Sequence, residues 1–430
     1  MARVLFTMFG SYGDLYPYIA IGIELQKLGH RVTLATSAGY REKVESERLA
    51  FAPVRPDVSL ENREMLRFFF DQKRGTERVM RAMASVICES YDDTLDAARD
   101  ADVIVTHPMA MAGVAVAEKK RLPWVSSVLA PISFLSAYDP PIPAPAPWLA
   151  SLRRFGPGIM RAVWNFGKWE ARRWVQPVIA LRQEIGLAAV SNPLFEGSHA
   201  PDLVLALFSP IFAAPQPDWP KQTRITGFPF YDGIEKDLPA ELEAFLQAGV
   251  PPVVFTLGSS AVGAAGNFYS ESLQAVKQLR TRAVFLTGSH SQGLEETGAD
   301  ALGSDVLLWP AAPHAQLFAR AAAVVHQGGV GTTAQAMRSG RPMLVVPFAH
   351  DQFDNAERVR RLGVATVIPR SRYTARTAEA MLAPLLGDNS YRQAALEVAN
   401  VIRAECGSAA AAQAIDHYVR RRDESGVLDL

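Results

Sequence analysis

Glycines, threonines and a histidine stand together in the second half of the chain. The stretch from Val324 to Thr333 reads VVHQGGVGTT. Glycines let the backbone approach a ligand closely, and a helix that begins near Gly331 would offer unpaired N–H groups and about half a positive charge. The hydroxyl groups of Thr332 and Thr333 and the imidazole of His326 would add hydrogen-bond donors. The pattern therefore predicts a cradle for a phosphate or diphosphate that needs no metal ion.

The same glycines permit a second interpretation. Residues Gly329 to Ala334 fit the dinucleotide-binding pattern G-x-G-x-x-A, and Asp351 lies where a ribose-binding acid is expected. That pattern normally opens the first strand–helix–strand unit of its domain, whereas several predicted strands precede it here. An NAD-dependent oxidoreductase stays open as an alternative, and so does a sensor that binds a nucleotide sugar without catalysis.

Acidic residues also follow two other predicted strands. Asp14 comes directly after the residues GSYG, and at the carboxyl end of a parallel strand it could serve as a general base. Its structural alternative is the N-cap of the next helix. The segment from Val346 to Asn355 reads VPFAHDQFDN. Its Asp351 and Gln352 suit the vicinal hydroxyls of a sugar, although Asp351 could instead cap a helix.

Alternating strand and helix signals position these clusters. The apolar pattern predicts strands at residues 3–8, 31–36, 51–54, 103–106 and 124–129, and again at 253–257, 283–287, 306–308, 323–326 and 343–346. Helical spacing between them predicts helices at 15–28, 40–47, 110–120, 269–279, 331–339 and 354–362. Apolar strands that alternate with helices are typical of parallel sheets covered on both faces. The fold class is therefore α/β, with two parallel units in tandem.

The regions between these units are less regular. Residues 159–185 carry Trp164, Trp169 and Trp174 among several arginines, and they predict one long amphipathic helix. We expect it to pack on the domain, with contact to a membrane surface or a partner as the alternative. Prolines between residues 208 and 230 predict the interdomain linker. The predicted domains are residues 1–225, residues 226–405 and a helical tail over residues 406–430.

Composition excludes several other classes of protein. The 430 residues include 44 basic and 44 acidic side chains, and this zero net charge gives no support for nucleic-acid binding. Two distant cysteines exclude a disulfide framework, so a cytoplasmic location is expected. The most apolar stretches are interrupted, the first of them by His107 and Pro108, and none is long enough for a membrane span. We expect a monomer or weak dimer.

The order of these motifs resembles family 1 nucleotide-sugar glycosyltransferases. The segment H-x-G-G-x-G-T-T, a strand and then P-x-x-x-D-Q-x-x-N match the donor signature, and the N-terminal G-S-x-G-D-x-x-P resembles the bacterial branch with rhamnosyl-, macrolide and sterol glycosyltransferases. The resemblance implies the GT-B fold: two Rossmann-like domains facing across a cleft, acceptor domain first, with the tail crossing back. It further implies inverting, metal-independent transfer without a cofactor.

The resemblance also assigns substrates and residue roles. A UDP-sugar or dTDP-sugar, with UDP-glucose as first choice and dTDP-rhamnose as second, would glycosylate a hydroxyl of a small apolar acceptor: a lipid, polyketide, sterol or phenol. Asp14 would be the base, and His326 would contact the diphosphate. The other implied donor-binding residues are Ser259, Ser260, Trp309, His314, Gly328, Gly329, Gly331, Thr332, Asp351 and Gln352. The acceptor candidates are His107, Met109, Phe134, Ile142 and Trp148.

Some positions depart from the family pattern. Plant members place a tryptophan where this chain has Ala311, and Trp309 stands two residues earlier. The usual ribose-binding glutamate after the cradle is absent, since Ala334 and Gln335 occupy that stretch. The only Asp-x-Asp sequence, at residues 100–102, lies far from the cradle along the chain, and we interpret it as surface charge.

Overall fold

Two parallel β-sheets form the framework of the protein. The computed structural model describes residues 1–57, 62–233, 237–288 and 303–425. The strands of the first sheet are β1 (Arg3–Thr7), β2 (Arg31–Thr36), β3 (Ala50–Pro53), β4 (Val103–Thr106), β5 (Trp124–Val128), β6 (Val204–Ala206) and β7 (Thr223–Ile225). They lie in the order β3-β2-β1-β4-β5-β6-β7, and every neighbouring pair is parallel.

The second sheet repeats this plan. Its strands are β8 (Val253–Thr256), β9 (Ala283–Leu286), β10 (Val306–Trp309), β11 (Ala323–His326), β12 (Met343–Val345) and β13 (Ala365–Val367). They lie in the order β10-β9-β8-β11-β12-β13, again with parallel pairs. Strands β4, β8, β9 and β11 are buried along their whole length because helices cover both faces. The predicted tandem α/β architecture is confirmed.

Helices connect the strands. Those of the first half are α1 (Tyr12–Lys27), α2 (Arg41–Ser46), α3 (Arg63–Phe69), α4 (Gly75–Ser85), α5 (Ile87–Ala97), α6 (Met111–Lys120), α7 (Pro157–Ala171) and α8 (Gln176–Glu184). Those of the second half are α9 (Ala240–Gln247), α10 (Gly258–Ala261), α11 (Phe268–Leu279), α12 (His314–Ala319), α13 (Val330–Ser339), α14 (Gln352–Arg361), α15 (Ala375–Gly387), α16 (Asn389–Ala404) and α17 (Gly407–Ser425). Short 3₁₀ turns occur at Ala38–Tyr40, Pro131–Phe134, Pro147–Phe155, Arg172–Trp174, Val262–Ala264 and Arg370–Arg372.

The long helix expected over residues 159–185 is wrong as a single element. It is divided into α7 and α8 by the 3₁₀ turn at Arg172–Trp174. Pro177 explains the division, because a proline has no N–H for a helical hydrogen bond and is tolerated only in the first turn. In the structure Pro177 stands in that first turn, directly after the N-terminal residue of α8.

The linker begins later than the proline pattern suggested. Strand β7 belongs to the first sheet, so the prolines before it lie inside the N-terminal unit. The second sheet begins with β8, and residues 226–239 connect β7 to α9, the helix before β8. Short strands such as β6 and β7 escaped prediction because three residues carry too little pattern.

The C-terminal helix returns to the first unit. Residues of α17, among them Ala411, Ala412 and Ile415, are fully buried in one apolar cluster with Leu15 and Ile19 of α1. Asp416 on the same helix lies 3.0 Å from His30 Nε2. The tail therefore fastens the second half of the chain onto the first. The last five residues of the tail segment, 426–430, lie outside the described part.

Candidate active site

The topology places a crevice at the same point of each sheet. In the first sheet, connections run from β1 towards β2 on one side, while β4 lies on the other. In the second sheet, β8 and β11 have the same relationship. Ligands of parallel sheets bind where the strand order reverses, beyond the carboxyl ends of the strands. The polar segments after β1, β4, β8 and β11 therefore lie at these crevices, and the segment after β12 follows beside them.

The two crevices face each other at close range. A methyl group on Gly331, in the first turn of α13, would lie 3.7 Å from the Cα atom of Gly13 in the first turn of α1. The Asp14 carboxylate is also close enough to act on two groups across the cleft. Burial is the main cause of the raised pKa of Asp351 and of the lowered pKa of His350, and the Asp14 charge adds a smaller effect that raises both pKa values. The predicted base therefore faces the predicted sugar site.

The glycine cradle has the expected geometry. Gly328 has φ +89°, and a Cβ atom there would lie 2.9 Å from the Gln352 carbonyl oxygen and from a methyl group of Val345. Only glycine fits such a position without strain. Gly329 is the N-cap of α13 and provides no side-chain cap, so the first N–H groups of this helix stay open for an anion. Helix α13 begins at Val330, one residue before the predicted start.

One ring nitrogen of His326 accepts a hydrogen bond from the backbone, and the other has no partner among the described residues. Its Nδ1 accepts a hydrogen bond from the Gly328 N–H at 3.0 Å, so Nδ1 carries no proton. Burial, with a smaller contribution from nearby His314, lowers the pKa of His326 to about 3. The ring is therefore neutral at physiological pH and bears its proton on Nε2. In the described part of the chain this Nε2 is buried without a hydrogen-bond partner, so its N–H can donate to a ligand.

The two cradle threonines differ in role. Thr333 donates its hydroxyl hydrogen to the Gly329 carbonyl at 2.9 Å, so the expectation that it offers a donor to a ligand is wrong. Its helical position explains this, since a threonine hydroxyl readily bonds the carbonyl four residues earlier. Thr332 remains the available hydroxyl. Gln327 was not predicted, yet its side chain contacts Gly258 and Gly329, and its Oε1 is buried without a partner in the described residues.

The segment before α14 combines a carboxyl and two amides. Asp351 stands at the N-cap position, but its side chain makes no capping bond, so the capping interpretation is wrong. It accepts instead from Asn355 Nδ2 at 2.7 Å. Burial raises its pKa to about 7, with the Asp14 charge as a lesser cause. Gln352 Oε1 accepts from the Phe348 and Ala349 N–H groups, which leaves the Gln352 amide N–H₂ to donate to a ligand.

Sequence reasoning missed Asn355 as a site residue. Its amide nitrogen donates to both Asp351 and the Gly328 carbonyl, at 2.7 and 2.9 Å, and its side chain is fully buried. It therefore holds the Asp351 carboxyl and the cradle in one fixed arrangement. The signal was present, because Asn355 ends the quoted motif four residues after Asp351, which is one helical turn.

Asp14 is held by the start of α1. The N-cap of this helix is Ser11, not Asp14, and Asp14 Oδ2 accepts from the Ser11 N–H at 2.7 Å in a capping box. The Nε2 atom of His107 lies 3.4 Å from Asp14 Oδ1. The Met109 N–H donates to His107 Nδ1 at 3.0 Å, which fixes the His107 proton on Nε2. The His107 N–H therefore lies on the side of Asp14, and the Nδ1 lone pair is already used.

The remaining donor candidates lie on α10, on α12 and on the edge strand β10. Ser259 and Ser260 lie in α10, directly after β8, and are partly exposed. His314 begins α12 and stacks on Phe318, with ring centroids 4.5 Å apart. Burial lowers the pKa of His314 to about 4. Trp309 ends the edge strand β10 and is partly buried against the core.

The acceptor candidates separate into different environments. Met109 lines an open crevice next to His107, together with Phe9 and Met83. The Ile142 N–H donates to Asp354 Oδ1 at 3.1 Å, which ties its loop to α14. Phe134 is partly buried and stacks on Trp219 at 4.3 Å between ring centroids. Trp148 is 66% exposed. The acceptor role of both residues stays a prediction.

The described ranges lack metal-binding clusters and membrane-spanning helices. They contain no group of three or more His, Cys, Asp or Glu side chains arranged to hold a metal ion. No helix there is both long and apolar enough to cross a bilayer.

Comparison with known proteins places this geometry in a family. Residues 4–138 match the glycosyltransferase family 28 N-terminal domain, and residues 291–416 match the erythromycin biosynthesis protein CIII-like C-terminal domain. Sterol 3-beta-glucosyltransferases of Aspergillus clavatus and Leptosphaeria maculans are 28% and 30% identical over 376 residues, covering 84% and 83% of this chain. The chain spans about a quarter of those longer relatives, 26% and 24%.

Solved structures share the fold along almost the whole chain. A glycosyltransferase of kitacinnamycin is 20% identical with a TM-score of 0.72, and its alignment covers 97% of this chain and 99% of the other. The glycosyltransferase VinC in complex with dTDP is 22% identical with a TM-score of 0.70, covering 97% and 100%. Family models and fold agree: each half of the chain resembles a glycosyltransferase domain, and the two halves together have the GT-B fold.

Proposed function

We propose that this enzyme transfers glucose from a nucleoside-diphosphate sugar to a hydroxyl of a small apolar acceptor, with inversion. The observation that carries the proposal is the opposition of two groups across the cleft. Asp14 follows β1 of one sheet, and the neutral His326 ends β11 of the other. The Asp14 charge reaches Asp351, which supports one reaction centre shared by both domains.

Asp14 acts as the general base. The acceptor oxygen attacks C1 of the sugar and gives its proton to the Asp14 carboxylate, while the bond from C1 to the diphosphate oxygen breaks. A base placed in this way contributes about 10²–10⁴-fold to the rate. His107 is a positioning residue: its Nε2 lies 3.4 Å from the Asp14 carboxylate, and its Nδ1 already accepts from the Met109 N–H.

The leaving diphosphate takes the electron pair and gains negative charge. His326 donates its unpartnered Nε2–H to a phosphate oxygen, and the open N–H groups of α13 donate beside it. These donors are already oriented, so they stabilise the developing charge without reorganisation. The same arrangement supports a reaction without a divalent ion, and turnover unaffected by EDTA is the expected result.

The sugar lies against the start of α14. Asp351 and the free amide of Gln352 bind its hydroxyls, and Asn355 keeps the carboxyl in place. The relatives are described as sterol 3-beta-glucosyltransferases, which supports glucose as the sugar and a sterol as the first acceptor to test. Polyketide and phenolic acceptors, and dTDP-sugar donors, form the second group. The neighbour solved with dTDP supports that second donor.

A donor-by-acceptor screen tests the proposal. The full chain is incubated with UDP-glucose or dTDP-sugars and with sterols, macrolides or phenols, and products are identified by mass. The expected product is a sterol carrying one hexose, with the β-configuration at C1. Donor binding by calorimetry without transfer to any acceptor would favour the nucleotide-sugar sensor. Stabilisation by NAD but not by UDP or dTDP would overturn the transferase proposal.

A further inference from the structure

An apolar stripe lies on the outer side of α7. Ile159, Phe166 and Trp169 are 47%, 64% and 65% exposed. Their spacing of seven and three residues places them on one face of the helix. The opposite face is already used, because Met160 and Trp164 are buried in a small cluster with Ala137. Helix α7 thus has two apolar faces, and only the inner one packs on the protein.

The preceding 3₁₀ segment extends this surface. It packs against α7, and it exposes Trp148 and Phe155 by 66% and 57%. Four large aromatic side chains in 22 residues are therefore more than half exposed. Single exposed apolar residues are ordinary, whereas a group of large aromatics on adjoining elements marks an interaction surface.

Charge distinguishes between the occupants of this surface. Residues 147–174 contain six basic side chains and one acidic side chain, Glu170, in a chain whose net charge is zero. The basic residues are Arg153, Arg154, Arg161, Lys168, Arg172 and Arg173. Two copies of this segment would repel each other in a symmetric dimer. The core of a protein interface is poor in charge, whereas here guanidinium groups lie among the rings, as with Arg154 over Phe155 at 4.7 Å.

We propose that the outer surface of residues 148–172 binds the interface of an anionic lipid bilayer. Tryptophan and phenylalanine side chains enter the boundary between headgroups and acyl chains, while the arginines contact lipid phosphates. The inner face of α7 holds the surface rigidly on the N-terminal domain. The proposal is independent of the transfer reaction, although it would bring the acceptor domain to a membrane that holds apolar hydroxyl compounds.

Vesicle sedimentation of the full chain tests this proposal. The probes are phosphatidylcholine vesicles with and without about one third phosphatidylglycerol. We expect wild type to sediment with the anionic vesicles and to be released as salt screens the charges. The double variant Phe166→Ser/Trp169→Ser should lower the partition coefficient about tenfold or more, and Arg154→Gln/Arg172→Gln should lower it on anionic vesicles only.

The matched control is Val250→Ser. Val250 is 68% exposed on the C-terminal domain, so its change removes a similarly exposed apolar group elsewhere. The control should bind vesicles as wild type does, and all variants should keep the wild-type melting temperature because the changed side chains are exposed. The proposal would be overturned if wild type stayed in the supernatant, or if the variant Phe166→Ser/Trp169→Ser bound the vesicles as well as wild type does. It would also be overturned by a wild-type dimer that the double variant converts to monomer, because this would assign the stripe to a second copy.

Discussion

His107 Nε2 lies 3.4 Å from Asp14 Oδ1, at the junction between β4 and β1. The two residues are 93 positions apart in the chain and meet because β1 and β4 are neighbours in the sheet. His107 is buried and cannot offer a lone pair to a substrate, since the Met109 N–H occupies its Nδ1. In the proposed mechanism the pair separates two roles: Asp14 takes the proton, and His107 sets its position.

His326→Ala should weaken donor binding about 10–100-fold, because a hydrogen bond to a charged phosphate is removed. Burial holds the pKa of His326 at about 3, so the ring stays neutral at every pH above about 4. The ratio of variant to wild-type Kd, measured by calorimetry, should stay constant between about pH 5.5 and 8.5.

The control for this change is His417→Ala on the exposed side of α17. It should bind UDP as wild type does. A ratio of dissociation constants that falls steeply as pH rises through about 6.5 would contradict a neutral His326, because only a protonated imidazolium would lose its contribution there.

Asp351→Asn should make the folded protein more stable and its binding of the donor weaker. The pKa of Asp351 is raised to about 7 in the folded protein, whereas the pKa of an unfolded Asp is about 3.9. The contribution of this carboxyl to the free energy of unfolding is therefore complete below about pH 3.9 and is lost as pH rises through about 7. The variant should therefore gain stability relative to wild type from pH 5 to pH 8, by about 2 kcal/mol because the carboxyl is partly exposed. Melting temperatures across this pH range measure the gain.

The same substitution should raise the KM for the donor, since the sugar loses a carboxylate partner. Asn at this position still accepts from Asn355, so the local structure is kept. A stability difference between the two proteins that does not change with pH would contradict the raised pKa of Asp351.

Gly328→Ala should destabilise the protein by about 2 kcal/mol or more and abolish donor binding. The new methyl group would meet the Gln352 carbonyl and Val345 at 2.9 Å, in a backbone conformation with φ +89°. Gly363→Ala is the control because Gly363 also has positive φ, +73°, but open space around its Cα. It should cost only about 1 kcal/mol. Equal losses in denaturant unfolding would show that the cradle is not tightly packed.

Arg358→Ala should destabilise by about 3–5 kcal/mol, because it leaves charged partners without their cation. Arg358 is 3% exposed, and it bonds Asp354 at 2.8 Å and Asp139 at 2.6 Å. Asp139 lies on the loop before the proline-rich segment, so this ion pair joins the acceptor domain to α14. Arg360→Ala removes a neighbouring exposed pair and should cost less than about 1 kcal/mol. Comparable free energies of unfolding for the two variants would contradict the account.

Most strands and helices could be predicted from the sequence, but the contacts between residues that are distant in the chain could not. Buried strands such as β4 and β11 could be predicted to the residue, because parallel strands are continuously apolar. The donor cradle was also visible, since glycine spacing is local. The contact between His107 and Asp14 depends on strand order, which no local pattern encodes. Asp14 takes part in a capping box, and this leaves its carboxylate available for the proposed base role, whereas local reasoning weighed the two as alternatives.

The central claim is that Asp14 removes the acceptor proton while the donor binds independently across the cleft. Asp14→Asn tests it most directly, because asparagine can still accept from the Ser11 N–H and preserve the start of α1. The measurement is turnover with UDP-glucose and the best acceptor, together with donor Kd for the same preparation. We predict a kcat about 10²–10⁴-fold below wild type with an unchanged donor Kd. A variant that turns over like wild type would contradict the claim.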